Sequence, residues 1–572
     1  MAPLVPRGSA VGFAVLALLT GVVACSEAPQ TAGGNGLGTM VISTAADADH
    51  LFPPLVTTTL GRVISQQIFE PLASIGDSLN VIGDEGFEPR LADSWNWSPD
   101  SLSIAFHLDP RARWHDGVPV RASDVRFTYR LYADPKLAAP SASIFAEIDS
   151  VTVRDSLTPV VWFGQRSPQQ FYIAATEMDI VPEHVYGKVP AEALASSDML
   201  RRPVGSGRFK FSRWLPGQTI EIVSNKSHYR APARLDRVVW TIAPDFGAAS
   251  ARFLSGEADF FESVRPEMLA QVQQARGMRV ATAPGFKYGF LALNLHDPKR
   301  AGAPHPLFGN RTLRRALTMA VDRRAIVRSV FDTLALPSLG PMVRAMPTTD
   351  TSINEIPFDP STAARLLDSL GWKGGDAGGV RHKNGVPLQF TILTPSSSKE
   401  RGRLAVLLQE QFRRVGVHVD VQTLELNALM QQLGTRNFDA VMTTWALDPD
   451  PEAVRGNWGS VAAHAKGSSN FSGYASKQFD AQLDSAASAK SLALARPLFT
   501  QAYQTIVDDA PAIWLFEPRS VVGVQQRIRL APLRADAWWA HLADWSIPGN
   551  ERVARDLLGK PASSEKQPIR GS

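Results

Sequence analysis

Residues 402–422 read Gly402-Arg-Leu-Ala-Val-Leu-Leu-Gln-Glu-Gln-Phe-Arg-Arg-Val-Gly-Val-His-Val-Asp-Val-Gln422. As far as Val415 the apolar positions Leu404, Leu407, Leu408, Phe412 and Val415 recur at helical spacing. Beyond Gly416 the period becomes two, with Val417, Val419 and Val421 alternating with His418, Asp420 and Gln422. A helix therefore runs directly into a half-buried strand. The same alternation extends upstream. Asp359-Pro360 starts a helix that carries Ala363, Leu366, Leu367 and Leu370 and stops at Gly371. Lys383-Asn-Gly385 marks a hairpin turn feeding the strand Leu388 to Leu393, and a further helix is expected over 311–331 with Leu313, Leu317, Ala320 and Val321 on its apolar face. Interleaved helices and strands define an α/β class with mixed sheets.

The chain has 572 residues, more than one hydrophobic core supports, so two or three structural units are expected. Basic residues exceed acidic ones by only four and are scattered along the chain, which argues against nucleic acid as a partner. Arg7 precedes the apolar run Val11 to Leu19, too short to span a bilayer, and small residues then lead to Val22-Val-Ala-Cys25. That layout is a secretory signal peptide over residues 1–25, and its end resembles a bacterial lipobox. Cys25, the only cysteine, is the expected lipidation site and new N-terminus, which leaves no disulfide framework and no thiolate metal cluster. Residues 26–37 have the composition of a flexible tether.

Phe438-Asp-Ala-Val-Met-Thr-Thr-Trp-Ala-Leu-Asp-Pro-Asp-Pro451 reads as a strand stopped by prolines. Asp448 thus emerges at a strand's carboxyl end, where α/β sheets present ligand groups. The plainer reading is an aspartate that bends a Pro-rich turn. Trp445 and Trp458 offer large rigid surfaces for side-chain pockets, with core packing the alternative for each. There is no His-Glu-x-x-His, no phosphate-binding loop and no Cys-His pattern, so no catalytic residue, metal site or cofactor is assigned. Ser206 in Gly205-Ser-Gly207 lacks a nucleophile-elbow context, and a structural turn is the better reading.

Other stretches are more specific. Leu91-Ala-Asp-Ser-Trp95 is followed by Phe106-His-Leu108, Trp114-His-Asp-Gly117 and Ala122-Ser-Asp-Val-Arg-Phe127. Gly205-Ser-Gly-Arg-Phe209, Leu254-Ser-Gly-Glu-Ala-Asp259, Arg314-Arg-Ala-Leu317 and Asn470-Phe-Ser-Gly-Tyr474 come later. In order and spacing these resemble the extracellular solute-binding proteins of the dipeptide, oligopeptide and nickel importers, solute-binding family 5, over nearly all of the mature chain. The resemblance implies a two-lobed periplasmic-binding-protein-like fold of type II, with an extra inserted domain and a hinge between the lobes. Lobe I would comprise 38–83, 203–285 and 511–547, the inserted domain 84–202 and lobe II 286–510, with a loosely attached polar tail over 548–572.

By resemblance the aspartate three residues after the tryptophan, Asp448 here, holds a peptide ligand's α-ammonium. The loop is shorter than usual in the family, which leaves the role of Asp450 open. Phe52 is a candidate for the opposite wall of the cleft. The implied function is capture of a peptide or peptide-like solute by a monomeric, exported, lipid-anchored receptor that delivers it to the permease subunits of an ABC importer. The same scaffold serves metal chelates and oligosaccharides, a ligand sensor is a further reading, and a hydrolase has little support.

Overall fold

The computed structural model describes residues 37–557 apart from 301, 375–378 and 466. The export segment, Cys25 and the tether as far as residue 36 lie outside the described residues. Two large sheets organise the molecule. The first has seven strands, in the order Met278–Ala283, Ser520–Gln525, Phe260–Phe261, Thr39–Thr44, Arg237–Ile242, Thr219–Ser224 and Phe209–Leu215. The second has six, in the order Ala335–Pro337, Ala512–Pro518, Lys287–Leu293, Ala440–Ala446, Gln389–Pro395 and His418–Leu424. Parallel and antiparallel pairs mix in both. Each sheet anchors one lobe.

Among the described residues, two places carry a strand of one sheet directly into a strand of the other. Ala283 leads to Lys287 through three residues, and Pro518 leads to Ser520 through Arg519 alone. Short extended crossovers of this kind suit a hinge, because a few backbone torsions there reorient whole lobes. The crossovers touch each other at Gly285, where a Cβ would sit 1.7 Å from the Pro518 carbonyl oxygen, so only glycine fits.

A four-stranded antiparallel sheet, Ala92–Trp97, Ser103–Leu108, Thr158–Phe163 and Ile148–Asp155, forms the centre of the inserted domain. Its sequence motifs have structural work. Buried Trp114 donates its indole N–H to Asp124 at 3.2 Å, and the Asp124 carboxylate also accepts the backbone N–H groups of Arg121 and Glu183, fixing the start of the Ala122–Ala133 helix. His115 ties the domain to the Gly205-Ser-Gly207 turn: its N–H meets the Gly205 carbonyl at 2.7 Å, and its ring nitrogens meet the Gly205 N–H and the Gly207 carbonyl. Burial pushes this imidazole down to about 4, so it is neutral in that role. At Gly205 a Cβ would lie 2.0 Å from the Ile68 carbonyl oxygen, which gives the glycine its reason.

The elements around 402–422 form as the sequence predicts. Lys399–Arg414 is helical, His418–Leu424 is a strand, and Pro360–Ser369 is capped by the Asp359 carboxylate, which accepts from the Thr362 N–H at 2.9 Å. The expected helix over 311–331 is instead two, Arg311–Met319 and Arg323–Phe331. Asp322 accepts the Ala325 N–H at 2.9 Å, so a cap sits inside a continuous apolar period and restarts the helix.

The tail is a second correction. Residues 548–557 are not loose, for Asp556 is buried and ion-paired with Arg527 at 2.7 Å, while its other oxygen accepts the Thr39 N–H at 2.9 Å. Arg527 also holds Asp259 at 2.8 Å. This buried network locks the first strand, the Leu254–Asp259 motif and the tail together, which a polar composition alone does not reveal.

Candidate functional site

The Ala440–Ala446 strand pairs along its whole length with Lys287–Leu293. On its other side it pairs with Gln389–Pro395 only at Ala440 and Val441. Residues 442–446 therefore present an edge with no strand partner among the described residues, at the carboxyl ends of two parallel strands. Such a crevice is where open α/β sheets bind ligands. An edge of alternating free N–H and C=O groups accepts an added extended chain.

Asp448 lies two residues beyond that edge. The Leu447 N–H bonds the Phe286 carbonyl at 2.9 Å, which fixes the loop against the crossover. The Asp448 carboxylate accepts the Asp450 N–H at 3.2 Å, and that of Asp450 accepts the Glu452 N–H at 2.9 Å, so the turn-bending role is present as well. Asp448 is exposed to water, with protein near enough to desolvate its carboxyl in part. This desolvation raises its carboxyl above the ordinary range, and the charge of Arg62 opposes the rise.

Glu177 and Asp179 lie in the loop between the Gln170–Ala175 and Glu183–Tyr186 helices of the inserted domain. Burial raises Glu177, a hydrogen bond from Tyr172 opposes the rise, and the negative charge of Asp448 adds to it, so the two carboxylates lie within electrostatic reach of each other. Burial likewise pushes Asp179 up to about 8 and Asp450 up to about 7. Arg62, on the Thr59–Ile68 helix, is exposed and makes no ion pair among the described residues, although its charge acts on Asp448, Glu177 and Asp179. The site is thus short of positive charge.

Trp445 is half-buried, its ring 5.2 Å from that of Phe471. Two candidates fall elsewhere. Trp458 is 2% exposed, donates its indole N–H to the Tyr288 hydroxyl at 3.0 Å and packs 4.9 Å from Trp514. Phe52 is fully buried with its ring 4.7 Å from Tyr186, at the seam between lobe I and the inserted domain. Both are core residues rather than open pocket walls, since tight aromatic clusters satisfy them completely. Arg62, Glu177 and Asp179 escape a reading of the sequence because single charges in a helix or loop carry no spacing signal.

Residues 86–465 match the family described as bacterial extracellular solute-binding proteins, family 5 Middle. The oligopeptide-binding protein AppA of Bacillus subtilis is 25% identical over 528 residues, covering 90% of this chain and 94% of that protein. The structure of that AppA in complex with a nonapeptide aligns with a TM-score of 0.68 at 24% identity, over 89% of this chain and 99% of the other. NikZ from Campylobacter jejuni in complex with Ni(L-His) aligns with a TM-score of 0.70 at 21% identity, over 89% and 99% of the two chains.

Proposed function

The chain belongs to the bacterial extracellular solute-binding proteins of family 5, and we propose that it captures peptides, closing its lobes on an extended ligand whose α-ammonium is held by Asp448. The observation that carries this reading is the unpaired edge over 442–446, which ends two residues before a cleft-lining carboxylate. Backbone pairing along such an edge is indifferent to side chains, so one site accommodates many sequences. An ammonium entering the closed cleft needs a counter-charge, because an unpaired buried charge is very costly. Asp448 supplies it. The oligopeptide-binding relative supports the same ligand class. Trp445, a half-buried residue of this edge, gives an apolar surface for a ligand side chain.

In this reading the protein is an exported monomer held to the membrane by lipid at Cys25, and it hands its ligand to the permease subunits of an ABC importer. Closure about the two crossovers is the transport-competent step, since contacts on both walls form only when the lobes meet. Native mass spectrometry of the protein purified from its own host tests the ligand class. A peptide mass lost on denaturation supports the reading, whereas a metal chelate or a sugar in its place refutes it.

A further inference from the structure

A cavity of about 520 Å³ lies beside the edge strand Ala335–Pro337 of the six-stranded sheet, lined by Arg324 and Arg328 of the Arg323–Phe331 helix, by Asp332, by Arg344 and by Arg519 of the crossover. Two strands, Ala512–Pro518 and Lys287–Leu293, separate that edge strand from Ala440–Ala446, so the cavity stands apart from the edge at which a peptide is placed. Its charges are unbalanced. Arg324, Arg328 and Arg519 make no ion pair among the described residues. Arg344 pairs with the buried Glu517, on which the charge of Arg519 also acts. Glu355, also in the lining, is taken by Arg323 at 2.7 Å. Four arginines thus stand against Asp332 and Glu517, a surplus of two positive charges. The helix itself does not call for this arrangement. Arg324 occupies the first turn, where the helix dipole disfavours a cation, and Arg328 repels it from four residues on. Asp332, at the helix end, holds φ at 53°, a left-handed setting uncommon for a residue with a Cβ. Just beyond it the Leu334 carbonyl accepts the Arg519 N–H at 2.8 Å, so helix end, strained turn and crossover are held together around the cavity.

We propose that this cavity is a second binding site, one that takes a phosphate group carried by a soluble monoester or by a lipid headgroup. A phosphate monoester bears about −1.5 to −2 charges near neutral pH and three strong acceptor oxygens, which match the charge surplus and the three arginines without ion partners. Arginine suits the task because its planar fork meets a phosphate with two parallel hydrogen bonds. The cavity falls within the size range of small-molecule sites, so room remains for the group that carries the phosphate. Arg324 and Arg328 belong to lobe II and Arg519 to the crossover, so a bound phosphate joins that lobe to the hinge. The site is independent of the peptide reading, since none of its arginines lies on the edge over 442–446.

Calorimetry on the peptide-free protein tests the proposal, with inorganic phosphate, glycerol 3-phosphate and a monomeric short-chain phosphatidic acid as probes. Glycerol, and chloride at equal ionic strength, serve as controls. Wild type should bind the phosphate-bearing probes and neither control. Arg328→Gln should raise the dissociation constant by about tenfold or more, the loss expected of a hydrogen-bonding partner to a charged group, and Arg328→Lys should recover part of it. Arg154→Gln, at an exposed position of the inserted domain, should leave binding unchanged, which separates the site from an effect of net charge. Arg324→Gln is the second variant should Arg328→Gln fail to fold. Tighter binding of the phosphatidic acid than of glycerol 3-phosphate supports the site and makes a lipid headgroup its source, whereas equal or weaker binding supports it with a soluble monoester. Silence from all three probes overturns the site. So does phosphate binding that Arg328→Gln and Arg324→Gln leave unchanged, or a chloride response equal to that of phosphate.

Discussion

Replacing Asp448 by Asn separates its two roles, because the amide oxygen can still accept the Asp450 N–H that the carboxylate accepts at 3.2 Å. The turn survives; only the charge is lost. An ammonium about 4 Å from a carboxylate gains roughly 4 kcal/mol at the effective dielectric of about 20 that suits protein sites. Asp448 is exposed to water, so part of that gain is offset by the hydration it loses on closure. About 2–3 kcal/mol should remain, or roughly 30- to 150-fold in affinity. A carboxylate serving only the turn would change binding by less than about 1 kcal/mol. Calorimetry on wild type and Asp448→Asn, each with a peptide and its N-acetylated form, makes a double-mutant cycle. Acetylation should weaken wild-type binding by the same factor and the variant's hardly at all, since one charge pair cannot be lost twice. Wild type binding both forms equally, or the variant responding to acetylation as strongly as wild type, would refute the ammonium anchor.

Three other outcomes follow from the same physics. Asp556→Ala leaves Arg527 with one partner fewer in a buried network and should lower unfolding free energy by about 3–5 kcal/mol in a denaturant titration, whereas a loose tail would show no change. Asp179, at about 8 when folded and near 4 when unfolded, binds more protons folded than unfolded between those values, so it weakens the empty protein as pH rises from about 4 to 8. Asp179→Asn should therefore raise the melting temperature at pH 8 more than at pH 5, and equal shifts at both would show that the carboxyl ionises freely. Saturating peptide should lower the radius of gyration in solution scattering and stabilise the fold, by about 2.7 kcal/mol at a hundred times Kd. Superimposable scattering curves would argue against hinge closure.

Local order and family were legible in the sequence where chemistry repeats or is rare. The change of period at Gly416, the Asp359-Pro360 cap and the proline stop after Trp445 each reflect a backbone rule that acts over a few residues. Asp322 shows the limit, because a cap buried in an apolar period is invisible to a reading of the period alone. Trp458 and Phe52 show another: an aromatic side chain looks the same in sequence whether it faces a cleft or a packed cluster. Arg527 meets Asp259 and Asp556, and Asp556 meets the Thr39 N–H, across long stretches of chain, and no local pattern predicts such meetings. The open edge over 442–446 belongs to the same class, for it exists only because the Gln389–Pro395 strand parts from its neighbour after Leu393.

A crystal structure of the protein with a bound tetrapeptide tests the central claim most directly. The ligand should lie as an added strand against residues 442–446, with its ammonium about 3 Å from the Asp448 carboxylate and the lobes shut over it. A ligand seated away from that edge, or one whose ammonium meets water instead of Asp448, would contradict the account.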